Sequence, residues 1–518
     1  MNISRTRSDT ILSVCGEGFR AARNGRPYIN LDNAATTPAA IEVWKAVQAT
    51  IEIYGSVHRG SGLKSVISTE LHERAKERIM RFVGAGSGDA MAVASNSTTG
   101  INRFANSYHF KPTDIVLISE MEHSSNDLPW RRHATVMRVA SLKSGAMDLN
   151  DLENVLKKNG RNVRLVSVTA ASNVNGFLTS IREVARIAHR RGAEIFVDAA
   201  QLAAHRQIRM RAGKKEEELD YVAFSGHKMY APFGVGIVIG HKHAFDRCPP
   251  DVPGGGTIEM LTADDQIWSP SLPNRLSPGS PNLVGLVAVA AAAELIESIG
   301  FNRIRQHEAR LVHAGLEALR AVPEVELHGQ SMFSEGDDRL PVFPFTVCGI
   351  PFGKVAAILG HEYGIAVRQG HLCQYEFMRR ELGVTQKEQR RIEADLRRGD
   401  RSSRYGMVRA SCGLCTSEAD LAALGEALHA IVRGKVALKY EQDRSTGEYM
   451  PTKKSPLAEG NLPAALRFLF DTNSQTRIER KHHEQNNSRA FGRNGAVHRR
   501  RVQAVSAARA QRNERRRA

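Results

Sequence analysis

Residues 223–240 read Ala-Phe-Ser-Gly-His-Lys-Met-Tyr-Ala-Pro-Phe-Gly-Val-Gly-Ile-Val-Ile-Gly. Two short apolar runs, each able to form a strand, enclose a loop of small residues around one lysine, Lys228. Ser225 and His227 flank it, and Gly226, Gly234 and Gly236 leave room for a bulky ligand. A lysine in an apolar surround loses its charge readily, because desolvation disfavours the ammonium. The neutral amine is the form that condenses with an aldehyde. Most loop lysines are merely solvated, so Lys228 gains its meaning from what lies upstream.

Thirty positions earlier, Glu194-Ile-Phe-Val-Asp-Ala-Ala-Gln201 reads as a buried strand that ends in Asp198. Ligands of open α/β sheets sit at the carboxyl ends of the strands. An Asp there can cap a helix or a turn, or pair with a pyridinium nitrogen. A lysine that holds an aldehyde carbon, together with an Asp that keeps a ring nitrogen protonated, is the combination pyridoxal 5′-phosphate (PLP) needs.

Asp198-Ala-Ala-Gln201 followed by Ser225-Gly-His-Lys228 resembles the class V aminotransferases, PLP enzymes of fold type I. Within them the closest likeness is to the cysteine desulfurase and selenocysteine lyase branch. It runs from about Tyr28 to about Val432. Tyr28-Ile-Asn-Leu-Asp-Asn-Ala-Ala-Thr-Thr-Pro38 and Tyr54-Gly-Ser-Val-His-Arg-Gly60 match motifs of this branch, with His58 and Arg59 expected at the site mouth or a dimer contact.

Ser95-Asn-Ser-Thr-Thr-Gly-Ile-Asn102 leads into a helical pattern. Free N–H groups at a helix start attract phosphate, and hydroxyls add donors. The resemblance assigns Ser97 and Thr98 to the PLP phosphate, with Ser225 and His227 also bordering the cofactor. His123, after the strand Asp114–Ser119, matches the histidine that stacks on the ring and sits close enough to move protons. Asn173, after the strand Arg164–Ala170, matches an asparagine near the substrate carboxylate and ring hydroxyl; Gln201 matches a partner of that hydroxyl. Ser277-Pro-Gly-Ser-Pro-Asn282 matches a loop that reaches the neighbouring subunit's phosphate, with Ser280 where a threonine is usual. Sites shared in this way imply a homodimer. Arg409 in Met407-Val-Arg-Ala-Ser411 matches the grip on the α-carboxylate, a task suited to a guanidinium's two parallel hydrogen bonds.

Helical periodicity over 69–83 and 181–191, between apolar strand runs, predicts a mostly parallel sheet covered by helices. The expected organisation is an N-terminal segment, 1–27, packed on the smaller domain; a large PLP-binding domain, 28–283, with a seven-stranded sheet; a smaller α+β domain, 284–434; and a basic, disordered tail, 435–518, with a short helix over 462–470 at most. The resemblance supplies the strand count. The net charge of +17 is concentrated at the end: residues 477–518 hold thirteen Lys/Arg against three Asp/Glu. The body is therefore only mildly basic, and nucleic acid is expected to involve the tail alone.

At 42% hydrophobic and 25% charged residues the composition is globular. No apolar run reaches the roughly 18–20 residues a membrane helix needs. Six scattered cysteines, Cys15, Cys248, Cys348, Cys373, Cys412 and Cys415, suit free thiols rather than a disulfide framework. Without a leader pattern at the N-terminus, a cytoplasmic location is expected. Cys412-x-x-Cys415 has no second ligand pair at metal spacing, so no metal is expected.

Cys373 follows Arg368-Gln-Gly-His371, where a cation and an imidazole favour a thiolate. The resemblance makes Cys373 the residue that attacks the substrate's sulfur. A long charged segment, 379–404, separates it from Arg409 and is expected to form an exposed helix or flap. The expected reaction takes sulfur from L-cysteine to give L-alanine and a Cys373 persulfide, for an acceptor protein. Lys228, Cys373 and His123 are its catalytic residues. The alternatives are another class V reaction, namely transamination, epimerisation or β-elimination, or a PLP fold recruited as a binding module. Intact Lys228 and Asp198 argue against the last.

Overall fold

The computed structural model describes residues 10–19, 27–58, 60–142, 144–211, 213–246, 250–333 and 336–452. A seven-stranded sheet organises the larger part. Its strands are β1 (Asp89–Ala94), β2 (Ile115–Ile118), β3 (Thr135–Arg138), β4 (Val163–Thr169), β5 (Glu194–Asp198), β6 (Tyr221–Ser225) and β7 (Gly236–His241). They lie in the order β1-β7-β6-β5-β4-β2-β3, parallel except for β7, which runs against both its neighbours. Burial on both faces explains the apolar runs. Along β5, Ile195 and Val197 enter one core while Phe196 enters the other. Phe196 packs there with Phe104, Trp130 and Tyr221. That alternation is the strand's period of two, and a sheet covered on both sides leaves few polar positions.

The first core is closed by α1 (Ile41–Glu52), α2 (Leu63–Phe82) and the apolar α6 (Leu283–Ile299). On the opposite face lies α3 (Ser97–Ser107); α4 (Leu149–Asn159) and α5 (Ile181–Arg190) complete the crossovers. The chain turns at Gly300, φ +86°, into α7 (Phe301–Arg320). Because α6 is buried in the large-domain core, the passage to the smaller domain falls there, after the expected boundary at 283. No single helix among the described residues is long and apolar enough to cross a membrane.

The smaller domain has an antiparallel sheet of β8 (Val325–Leu327), β9 (Val342–Val347), β10 (Arg368–Gly370) and β11 (Met407–Ser411), in the order β8-β9-β11-β10. α7 and α10 (Glu418–Val432) cover it. The charged segment after Cys373 forms two helices, α8 (Tyr375–Glu381) and α9 (Gln386–Arg397), the second opened by a Thr385/Glu388 capping box.

Two stretches differ from expectation. Leu12 and Val14 join the large-domain core, through a bridge from Val14 to Ala40, while Ile11 N–H donates to Leu414 O, in the range expected for the smaller domain, at 3.1 Å. Residues 440–451, expected in a disordered tail, form an antiparallel hairpin of Tyr440–Gln442 and Tyr449–Pro451. The basic run after 476, the helix expected over 462–470, Arg59 and Cys248 lie outside the described residues.

Candidate active site

The last residue of β5 supplies Asp198, and the loops that leave the carboxyl ends of β2, β4 and β6 supply His123, Asn173 and Lys228. Lys228 closes a short turn, Gly226–Lys228. The main-chain carbonyl of His227 accepts from the hydroxyls of Thr36 and Thr37, both at 3.1 Å, which ties this turn to the opening motif. Burial strips water from the amine and lowers the Lys228 pKa to about 8; Asp198 and Cys373 pull it upward, while Arg409 and Arg368 push it down. Asp198 is buried and accepts from the Ala200 N–H at 3.0 Å. Burial raises its pKa, and Lys228 opposes that rise.

The start of α3 faces the same loops. Asn96 caps it by accepting from Thr99 N–H at 2.9 Å, and Ser97 N–H donates to Ser225 Oγ at 2.7 Å. Thr98 and Ser125 join hydroxyl to hydroxyl at 2.6 Å. Only glycine fits at 236, because a Cβ there would lie 1.9 Å from the Asn96 carbonyl carbon. The outcome is a helix N-terminus ringed by the hydroxyls of Thr98, Ser125 and Ser225, the chemistry an anionic phosphate calls for.

His123 Nδ1 accepts from Ser125 N–H at 3.1 Å, which places the ring proton on Nε2. Burial, then the charges of Lys228 and Arg409, lower the His123 pKa to about 4. The imidazole is therefore neutral at neutral pH and offers a flat face. Gln201 is buried, and its Nε2 donates to Ala34 O at 2.6 Å.

Arg409 is buried on β11, with Nη1 donating to Asn173 O and Nη2 to Asp32 Oδ1, each at 2.8 Å. Its Nε has no hydrogen-bond partner among the described residues. Asp32 also pairs with Arg368, at 3.3 Å. Asn173 Nδ2 donates to Leu372 O at 2.8 Å, and its Oδ1 accepts from Gln374 Nε2 at 2.9 Å.

Cys373 is exposed, and its carbonyl accepts from Ser124 N–H at 3.0 Å. The Cys373 loop is thus fastened to the His123 turn on one side and to Asn173 on the other. Leu372 and Cys373 both take positive φ, +52° and +60°, a strained conformation for residues with a side chain. The imidazole expected to favour the thiolate does not carry charge: burial, then Arg404, lower the His371 pKa to about 4, and the ring packs on Tyr375 and Tyr405. The nearby positive charges are instead Lys228 and Arg409, whose titrations both respond to Cys373.

Ser280 is exposed and makes no hydrogen bond among the described residues. His58 lies edge-on to the buried His72 and 4.0 Å from Glu73.

Two functional residues escaped the sequence reading. Asp32 sits in a quoted motif, but its arginine partners are more than 300 positions away. Glu122 is buried beside His123 and accepts from Ser119 Oγ, Asn126 Nδ2 and Thr169 N–H. Burial pushes its pKa up to about 8. The pair Glu122-His123 after a strand was the available signal.

A family model for aminotransferase class-V matches residues 29–424. The chain is 33% identical over 365 residues to a probable cysteine desulfurase of Halalkalibacterium halodurans, covering 69% of this chain and 86% of that one. It is 32% identical over 367 residues to a cysteine desulfurase of Serratia proteamaculans, covering 68% and 86%. Among solved structures it is similar to the apo cysteine desulfurase of Thermococcus onnurineus, with a TM-score of 0.67, 29% identity, and coverage of 79% of this chain and 95% of that one. The Escherichia coli cysteine desulfurase CsdA, in its S-sulfonic acid form, matches with a TM-score of 0.65, 25% identity, and 78% and 95% coverage.

Proposed function

We propose that this chain, which belongs to the class-V aminotransferase family, takes the sulfur of L-cysteine, releases L-alanine and keeps the sulfur as a persulfide on Cys373. One observation carries this reading: the Cys373 loop is fastened to both the His123 turn and Asn173, which keeps the thiol within electrostatic reach of Lys228 and Arg409. The desulfurase relatives support it.

The residues present fit PLP. They offer an amine with a pKa near neutrality, a buried carboxylate, a neutral imidazole and a hydroxyl-ringed helix start. Lys228 would hold its aldehyde carbon, Asp198 its ring nitrogen, His123 its ring face, and Gln201 with Asn173 its hydroxyl. Ser97, Thr98, Ser225 and His227 would border the phosphate, with Ser280 of a second copy beside it. When bound, PLP supplies an electron sink for the bonds at the substrate α-carbon.

The chain's own groups do the rest. Arg409 keeps unused N–H groups for the substrate carboxylate, while Asp32 and Asn173 hold the guanidinium still. Lys228 Nζ exchanges protons near neutral pH because its pKa has fallen to about 8. The Cys373 thiolate forms a bond to the substrate's sulfur. The carbon–sulfur bond breaks, its electron pair stays with the carbon skeleton, and protonation releases alanine.

Homodimer formation belongs to the same proposal. Its support is a projecting hairpin, Ile258–Leu261 with Gln266–Trp268, on which Met260, Leu261 and Ile267 are 56%, 71% and 52% exposed. The five described cysteines are free, which supports a reducing, cytoplasmic compartment.

The test incubates PLP-loaded protein with L-cysteine and with other amino acids, and assays alanine, keto acid and protein-bound persulfide. Wild type should form alanine and persulfide in equal amounts, and Cys373→Ser should bind L-cysteine yet form neither. Faster conversion of another amino acid, or sulfur release by the variant at the wild-type rate, replaces this reading with transamination, epimerisation or β-elimination.

A further inference from the structure

Cys373 lines two recesses. One, about 240 Å³, lies beside the His123 turn and includes Ser124, Asp127 and Arg131. The other, about 190 Å³, is bounded by Gln369, His371, Cys373, Arg401, Arg404 and Glu448, with Gly447 and Gln442 behind them. Its outer wall is the hairpin of residues 440–451, which begins after the family match ends at 424. The hairpin side of the recess thus lies beyond the family match, and the opposite side, Gln369 to Arg404, lies within it.

The wall is built, not draped. Arg401 N–H donates to Arg444 O at 2.7 Å, and Arg444 pairs with Asp400 at 2.6 Å. Gln369 Nε2 donates to Glu448 Oε2 at 2.7 Å, which ties the hairpin to β10, three residues before the strained Leu372–Cys373 pair. Gly447 has φ +80°, and a Cβ there would meet the Arg401 carbonyl oxygen at 2.8 Å, so the turn can approach this closely only as glycine.

The recess is electrically unbalanced. Arg401 Nη1 donates to two neutral carbonyls, Ser445 O at 2.6 Å and Gly399 O at 3.3 Å. Among the described residues no carboxylate lies within ion-pair distance of Arg401 or Arg404, whereas Asp395, Asp400 and Glu376 each have an arginine partner. Among the described lining residues Glu448 is the one carboxylate, and it is engaged by Gln369. Two arginines, Arg401 and Arg404, thus line a recess of about 190 Å³ that Cys373 also borders.

We propose that this recess binds a small anionic thiol, which takes the sulfur from Cys373. The inference rests on the desulfurase reading. The acceptor thiolate forms a bond to the outer sulfur of the Cys373 persulfide. The Cys373 sulfur–sulfur bond breaks, and its electron pair returns to Cys373 as a thiolate. The acceptor leaves as its own persulfide, and its thiol proton goes to solvent, so no outside oxidant or reductant is consumed. Arginine suits the anionic end of such a molecule, since its fork matches carboxylate and sulfonate oxygens.

The experiment charges full-length, PLP-loaded protein with L-cysteine, desalts it, and discharges the persulfide with mercaptoethanesulfonate, mercaptoethanol or cysteamine, compared at equal loading. The discharge rate should saturate with the sulfonate thiol alone. Arg404→Gln should raise its half-saturating concentration about tenfold, the loss of one charge-assisted contact, and Arg404→Lys should recover part of it. Among the described residues Arg404 makes no side-chain hydrogen bond, so its replacement leaves the hairpin's described contacts intact. Arg401→Gln adds a second arm. Equal, non-saturating discharge by all three thiols, unmoved by either substitution, overturns the proposal and leaves a protein as the acceptor. Should no persulfide form on loading, the desulfurase reading fails instead. The recess is then judged by calorimetric binding of ethanesulfonate, which Arg404→Gln must weaken if the site is real.

Discussion

Replacing Asp32 by alanine removes the carboxylate that holds Arg409 Nη2 at 2.8 Å and Arg368 Nε at 3.3 Å. The Arg409 side chain is 3% exposed and that of Asp32 21%, so water reaches one end of the pair only. Unit charges 4 Å apart attract by about 4 kcal/mol at an effective dielectric of about 20. Deleting one member of a fully buried pair costs about 3–5 kcal/mol, because the other charge is left without compensation. Water at Asp32, and the surviving bond from Nη1 to Asn173 O, bring the expected loss to about 2–3 kcal/mol. Asp32→Asn keeps an acceptor for Nη2 without the charge and should lose about half as much. Urea unfolding of each purified variant measures this. In steady-state assays with alanine as readout, Asp32→Ala should raise KM for L-cysteine about tenfold with a smaller change in kcat, since an unanchored Arg409 weakens carboxylate binding. Stability within about 0.5 kcal/mol of wild type, together with an unchanged KM, would refute the claim that Asp32 positions Arg409.

Other features of the structure carry further outcomes. The Lys228 amine has its pKa lowered to about 8, so the rate at which apoenzyme takes up PLP should rise with pH through about 8; Asp198→Asn, which removes an anion that raises this pKa, should shift the midpoint lower. By linkage, the folded state binds fewer protons at Lys228 than the unfolded chain between about 8 and 10.5, so this group makes stability rise with pH across that window. Glu122 behaves oppositely: its raised pKa contributes stability at low pH that is lost as pH rises from about 4.5 through about 8, and Glu122→Gln should flatten that slope in urea unfolding at several pH values. Gly236→Ala forces a Cβ against the Asn96 backbone and should cost the α3 cap and PLP retention, read as loss of cofactor on gel filtration. Truncation after 454 should leave turnover within a few-fold, whereas truncation after 434 deletes the hairpin and the Gln369–Glu448 tie and should slow alanine formation, as followed by single-turnover kinetics.

The sequence by itself determined the features written over a few consecutive residues. The glycine-rich turn around Lys228, the strand that delivers Asp198, the hydroxylated helix start at Ser97 and the buried helix from Leu283 each carry their own local pattern, because strand alternation, capping and apolar periodicity are short-range properties. Only the tertiary structure decided the relations between distant residues. The Asp32 carboxylate reaches Arg409 across 377 positions, and no local pattern encodes that pairing. His371 stands beside Arg368 in sequence and reads as a charged helper, yet packing against Tyr375 and Tyr405 strips its water and keeps it neutral. The same cause raised Glu122: a carboxyl's charge depends on the solvent left around it, which is settled only when the fold closes. Residues 440–451 look polar and aperiodic, but a two-stranded hairpin is marginal alone and takes its order from what it packs against. Here that support is the Arg401 backbone, Gln369 and the close seat of Gly353 against Tyr449, contacts that exist only once the smaller domain has folded.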